Sequence, residues 1–197
     1  DNISQAGNRA AKIIDNMLSF SRKSGPLKEK THICDLVENA IELAQSDYTL
    51  KKKMDFKTIE IKRKYDPDSG ATVMCEKSKI QQVLFNLFKN ASEAFITHNG
   101  GPDPRIIIHL SEDAHFVCME IEDNGPGMDK ATRNRVFEPF FTTKPIGQGT
   151  GLGLSVSYFI IVEDHDGKMD VESTPGEGSR FTICLPKTMQ TQTIQNG

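Results

Sequence analysis

The chain has 197 residues, a net charge of −3 and a sequence pI of about 6.0, enough for one full domain with an additional element and a core of ordinary size. Such mild acidity indicates no basic face, which argues against nucleic acid as a main ligand. No apolar run approaches the roughly 20 residues that a membrane helix needs, and Asp1 opens no signal peptide.

The chain begins in mid-pattern, DNISQAGNRAAKII, without an initiator methionine, and reads as a piece of something longer. Residues 3–22 place Ile3, Ala6, Ala10, Ile13, Met17 and Phe20 three or four apart, which predicts an amphipathic helix whose seam needs a partner. SGP at 24–26 ends it. A short strand over 29–33 follows, then a helix capped by Asp35 and running through LVENAIELA. Residues 46–56 are polar loop, KTIEIKRKY alternates as a half-buried strand, and ATVMC is another strand after the break DPDSG. KSKIQQVLFNLFKNASEAFITHN, 77–99, is a long helix with a stripe of Ile80, Val83, Leu84, Leu87, Ala91, Ala94 and Phe95. RIIIHL and FVCMEIED form one antiparallel hairpin, and KMDVES and SRFTICLP form a second across TPGEG. Between the hairpins a helix is expected from about Leu152 to Glu163, and the tail TMQTQTIQNG is polar. Helices and hairpins in one domain indicate an α+β sandwich with helices on one face of the sheet.

Cys34, Cys75, Cys118 and Cys184 are far apart and form no CxxC pair. The last three lie in apolar runs and read as buried reduced thiols, in keeping with a reducing, cytoplasmic setting.

The run GQGTGLGLSVSYFIIVEDHDG, 147–167, sets glycines at two-residue spacing before an apolar helix. Glycines at the N-terminus of a helix suit a phosphate, since that end presents unpaired N–H groups. The spacing fits neither GxGxxG nor GxxxxGK[ST], and alone it is equally a mobile loop. Two further features bear on it. Asn86 and Asn90 share a face of the long helix, Asn90 at the border of the apolar stripe. Asn86 alone is explained as a solvated amide; Asn90 suits a buried hydrogen bond or a contact to magnesium, which takes few protein oxygens. In DNGPGM, 123–128, strand alternation puts Asp123 at the end of the apolar face with Val117, Met119 and Ile121. It is either a turn cap or an acceptor for an exocyclic amino group such as adenine's.

The series NLFKNASEA, DNGPGM, FEPFFTTK and GQGTGLGL, in that order, closely resembles the ATP-binding domain of sensor histidine kinases, in the superfamily that includes DNA gyrase, MutL and the large heat-shock chaperone. The resemblance covers 29–187. It implies a two-layer α/β sandwich with a mixed, mainly antiparallel sheet covered on one face by helices and preceded by one long helix. It also implies three parts: 1–26 as the second helix of a dimerisation and phosphoacceptor hairpin, 27–187 as the ATP-binding domain with a lid over 125–150, and a polar tail, 188–197.

Carried over by position, Asn90 is the magnesium ligand with Asn86 near the phosphates, and Asp123 holds the adenine amino group with Gly125 and Gly127 beside the base. Phe137, Phe140 and Phe141 anchor the lid, and Gly149, Thr150, Gly151, Leu152 and Gly153 line the phosphate side. Lys144 is a phosphate contact or a solvated lid lysine, and Thr182 matches a threonine near adenine. The resemblance further implies ATP and Mg2+ as ligands, a homodimer through the first helix, and a response-regulator receiver domain as partner.

Two departures matter. Hydrolytic relatives carry a glutamate where Asn86 stands, and an amide is no base; this favours phosphoryl transfer to histidine over hydrolysis. The other alternative, a non-catalytic nucleotide-binding or dimerisation module, is disfavoured by the presence of Asn90, Asp123 and every lid glycine. The second departure is HDG at 165–167, where the family has HGG or HNG, so Asp166 must tolerate a positive φ. None of His32, His98, His109, His115 and His165 sits in a phosphoacceptor context; all five read as ordinary surface or half-buried histidines. The acceptor is then expected before Asp1, leaving this chain unable to phosphorylate itself.

Overall fold

A computed structural model describes residues 27–47, 56–66, 70–97, 103–145 and 149–187. The helix expected over 3–22, the segment 1–26, most of the loop 46–56, Gly147 and the tail 188–197 lie outside the described residues. The elements run β1 (Glu29–His32), α1 (Ile33–Ser46), a 3-10 turn (Phe56–Thr58), β2 (Glu60–Lys64), β3 (Thr72–Cys75), α2 (Lys77–Thr97), β4 (Arg105–Glu112) and β5 (Phe116–Asp123). There follow α3 (Lys130–Arg133), α4 (Gly153–Phe159) with a π turn (Ile160–Asp164), β6 (Lys168–Thr174) and β7 (Gly178–Pro186).

Five strands form one sheet in the order β2-β4-β5-β7-β6, while β1 and β3 pair separately. Both expected hairpins are present, as β4 with β5 and β6 with β7, and β5 joins them through β7. Among the described strands only β2 runs parallel to its neighbour β4, so the sheet is mixed and mainly antiparallel, as expected.

Strict alternation makes one sheet face apolar. Val117, Met119, Ile121 and Asp123 on β5 are buried while their neighbours are half-buried, and Ile106, Ile108, Phe181, Ile183 and Leu185 continue that face. The helices cover it with Leu36, Val37, Ala40 and Ile41 of α1 and Ile80, Val83, Leu84, Leu87 and Ala91 of α2. The expected α2 stripe holds except at Ala94, which is half-buried. Phe88 joins it instead, fully buried, its ring 5.9 Å from that of Phe56.

Three local expectations are corrected. Asp35 does not cap α1: the helix begins at Ile33 after His32, Asp35 lies in its first turn, and the Ile33 N–H donates to the carbonyl of Ala71 at 3.0 Å. There the carboxylate favours the helix dipole without capping. The last long helix is α-helical only to Phe159 and then widens into a π turn.

Cys118 and Cys184 are not reduced thiols. They face each other in the β5–β7 register, with Cα atoms 4.0 Å apart, and are joined as a disulfide; Cys34 and Cys75, both buried, are in no disulfide. The inference of a reducing setting from unpaired thiols falls with them.

The disulfide closes a 66-residue separation, so reduction should lower unfolding stability by about 2–4 kcal/mol. Urea titrations with and without dithiothreitol measure this, and a Cys118→Ser, Cys184→Ser double variant should show no reductant effect.

Candidate functional site

The site forms where β5 ends beneath the C-terminal half of α2. Asp123 is 7% exposed. One of its carboxylate oxygens accepts from the Gly125 N–H at 2.8 Å, and the Ser179 N–H also donates to the carboxylate. Burial nevertheless dominates and pushes its pKa up to about 6, against the lowering effect of those two N–H groups; the nearby Glu122 adds to the rise.

The surrounding loop leaves this carboxylate no room to be covered. A Cβ at Gly125 would stand 2.8 Å from Asp123 Oδ1. Gly178, at φ +105, lies so close that a Cβ would strike the Asp123 carbonyl, and one at Gly127 would strike that of Thr174. Gly176 donates to the Pro126 carbonyl at 2.7 Å and Met128 to Ser173 Oγ at 2.8 Å, which bind DNGPGM to the β6–β7 turn.

Thr182 does not belong to this group. It pairs with Glu120 on the sheet face turned away from the helices, where Arg180 bonds Glu122 at 2.7 Å. The residue facing Asp123 in the register is Ser179. Ser179 directly follows the positive-φ Gly178 and lies three residues before Thr182, hence on the other sheet face.

Asn86 and Asn90 are both half-buried on one side of α2. The Asn86 amide donates to the Gly153 carbonyl and to Ser157 Oγ, both at 3.3 Å, and so ties α2 to the first turn of α4. Asn90 Oδ1 accepts from Lys144 Nζ at 3.5 Å, and the same ammonium pairs closely with Glu93. Lys144 is thus held by α2 and is not a solvated lysine.

The loop leading into α4 is fastened at several points. Phe137 packs on Tyr158 and Phe181, with ring centroids 5.1 and 6.4 Å away, and Phe141 lies under the Arg135 guanidinium at 4.3 Å. Phe140 contributes differently from its expected anchoring. Its side chain is 56% exposed and its φ is +67, but its N–H donates to the Gly151 carbonyl at 2.9 Å. Gly151 is itself at φ +65, where any Cβ would run into the Phe140 backbone. Thr150 Oγ1 accepts from the Leu152 N–H at 3.4 Å, and Leu152 is buried in the core.

His165, expected to be ordinary, is 2% exposed. Its Nε2 accepts from the Glu76 N–H at 3.0 Å and its Nδ1 faces the Ile160 carbonyl at 2.7 Å, which assigns a neutral ring with the proton on Nδ1. Beside it Lys79 bridges Glu76 at 3.1 Å and Asp164 at 2.8 Å. This junction joins the start of α2 to the end of the π turn, and Asp166 follows at φ +53, the positive value anticipated for HDG.

An aspartate at the dry end of a central strand, an asparagine-bearing helix beside it and a glycine-rich loop between them define a nucleotide-binding α+β sandwich. The model of the histidine kinase-, DNA gyrase B- and HSP90-like ATPase family matches residues 75–189, and the chain belongs to that family. It is 33% identical to the sensor kinase CckA of Brucella abortus over 96% of this chain and 20% of that protein. It is also 33% identical to sporulation kinase E of Bacillus subtilis, over 95% of this chain and 24% of that protein. The chain thus spans only a fifth to a quarter of these relatives. In structure it resembles the catalytic domain of histidine kinase ThkA, with a TM-score of 0.64 and 28% identity over 82% of this chain and 98% of that one. The described part is accordingly an ATPase catalytic domain of the sensor histidine kinase type.

Burial lowers the His165 pKa below that of a free imidazole. An unfolded histidine takes up a proton near pH 6.5 and the buried one resists it, so the stability gained is complete above that pH and is lost as pH falls toward the depressed native value. The raised Asp123 carboxyl acts in the opposite sense, favouring the fold below about pH 4 and losing that contribution as pH rises through about 6. Denaturant midpoints from pH 7.5 to 5 should therefore fall less steeply for His165→Gln than for the wild type.

Proposed function

We propose that this chain binds Mg-ATP at the site around Asp123 and Asn90 and supplies the catalytic half of a two-component sensor kinase. The observation that carries the reading is the Asp123 carboxylate, buried at the end of β5 and held by main-chain N–H groups of Gly125 and Ser179. A buried carboxylate is costly unless something donates to it, and an exocyclic amino group adds one further N–H donor. Gly125 leaves the backbone beside it bare for a planar base, while Gly127 lets the loop close on the Thr174 carbonyl.

The donor set of α2 fits magnesium: Asn90 offers a neutral amide oxygen, and its Oδ1 already faces a cation, the Lys144 ammonium. Asn90 would hold the ion, which when bound neutralises phosphate charge. Asn86 secures the first turn of α4, whose N–H groups and those of Gly151 and Gly153 are the phosphate donors. In this reading the γ-phosphoryl leaves ADP and bonds to an imidazole nitrogen of a histidine on the dimerisation helix, which lies outside this chain. Asn86 is tied through its amide to Gly153 and Ser157 and has no basic atom with which to activate water, so transfer is favoured over hydrolysis. We further infer that residues 1–26 form the second helix of the dimerising hairpin, with 27–187 as the catalytic domain and 188–197 as a polar tail, and that the protein works as a cytoplasmic homodimer relaying phosphate to a receiver domain. The names of two relatives, a sensor kinase and a sporulation kinase, support the kinase part of that reading.

Calorimetry with a non-hydrolysable ATP analogue should show magnesium-dependent binding that Asn90→Ala loses. No binding by the wild type would refute the reading. Incubation with ATP should leave no acid-labile phosphate on this chain alone and should label an added phosphoacceptor hairpin.

Asp123→Ala should weaken analogue binding on the order of 100-fold, the scale of a lost hydrogen bond to a charged group. Because a protonated carboxyl gives up part of its acceptor capacity, wild-type affinity should fall as pH drops through about 6. The affinity of Asp123→Asn should stay flat over that range.

A further inference from the structure

Lys144 stands on the loop between β5 and α4, far in sequence from α2, yet its ammonium meets two oxygens of that helix. Asn90 Oδ1 is 3.5 Å away, and the Glu93 carboxylate pairs with it closely. Asn90 and Glu93 are three apart on a helix and so project to the same side. The side chains of Glu93 and Lys144 are 12% and 33% exposed, so the ion pair is substantially withdrawn from water and less screened than a surface pair.

The placement of the lysine is built into the loop. Its N–H donates to Thr142 Oγ1 at 3.2 Å. Its aliphatic stem crosses Gly149, where a Cβ would stand 3.3 Å from both Cβ and Cδ of Lys144 and 2.6 Å from Thr142 Oγ1. A side chain at 149 would therefore push on the stem that carries the ammonium to Glu93.

We propose that Asn90 and Glu93 form a two-oxygen cation site for which Lys144 and a divalent ion compete, so that the lysine acts as an internal counter-ion regulating metal loading. The proposal rests on the reading of Asn90 as the magnesium ligand and adds Glu93 as its charged partner. An ammonium at this point neutralises Glu93 and repels a second cation. A divalent ion can bind only as the lysine leaves, and the released lysine is then free to meet the phosphates. Glu93 is here a ligand of the ion, and Lys144 is the counter-ion that sets the occupancy of that site.

Mn2+ binding followed by the loss of its free-ion electron paramagnetic resonance signal, on the full chain without nucleotide, tests the exchange. Lys144→Met should bind Mn2+ at least about tenfold more tightly than the wild type, because the competing like charge is gone. The Lys144→Met, Glu93→Gln double variant should lose that gain. Gly149→Ala, which displaces the stem and keeps the charge, should give a smaller increase. Equal Mn2+ affinity in wild type and Lys144→Met would overturn the proposal, as would a gain that survives in the double variant. A parallel titration with Mn2+ and the ATP analogue separates the two ideas: analogue binding with no effect of Lys144→Met defeats the exchange alone, and absence of analogue binding defeats the nucleotide reading itself.

Discussion

Burying a carboxylate at the end of the middle strand is the constraint around which the rest of the site is arranged. Asp123 continues the inward face of β5 after Val117, Met119 and Ile121, in a place where a charge loses its hydration and must be met by donors. The donors are main-chain N–H groups of Gly125 and Ser179, and both depend on close backbone approach. Gly125 must lack a side chain to pass the carboxylate, and Gly178 must lack one to bring β7 against the Asp123 carbonyl. The β5–β7 register is thus part of the site. The Cys118–Cys184 bridge and the Arg180–Glu122 pair hold the same two strands from the opposite face.

The second organising element is α2, which does different work on adjacent sides. Its apolar stripe, from Ile80 to Phe95, fills the space over the sheet, and the border of that stripe carries Asn86, Asn90 and Glu93 toward the loop and the start of α4. Its N-terminus is fixed at the other end by His165 and Lys79. A helix 21 residues long, clamped at its first turn and packed along its length, can hold polar groups at its far half in fixed places. Rigid placement of this kind is what a site acting by position and charge requires.

Much of this was legible in the chain because periodicity is a local property. The 3.6-residue stripe of α2 and the two-residue alternation of β5 are written in consecutive residues, and they place Asn90 and Asp123 at the edges of apolar faces without knowledge of the fold. What failed was non-local. Thr182 and Ser179 differ by three residues, hence by a sheet face, and only the β5–β7 register decides between them. Cys118 and Cys184 lie in separate apolar runs, and nothing in either run reveals that the strands are neighbours. His165 lies in a polar turn, EDHDG, and its burial follows from the π turn that swings it under Glu76. Phe88 was missed because its burial depends on Phe56, which arrives from another part of the chain.

The glycines that lead into α4 can now be separated by cause. At 149 the constraint is the Lys144 stem and Thr142, and at 151 it is the Phe140 backbone together with a positive φ; both glycines are accounted for by the protein's own packing. Gly153 is different. It has ordinary helical geometry, and a Cβ there would meet nothing nearer than Asn86 Cγ, at 3.9 Å. Glycine in a helix costs about 1 kcal/mol relative to alanine, and neither backbone strain nor crowding within the chain demands it. A bare backbone at the first residue of a helix is what close approach by a phosphate to its N–H groups, as proposed above, would use. Of the three glycines, Gly153 is therefore the one that packing within the described residues leaves unexplained, and the one that the proposed phosphate contact would explain.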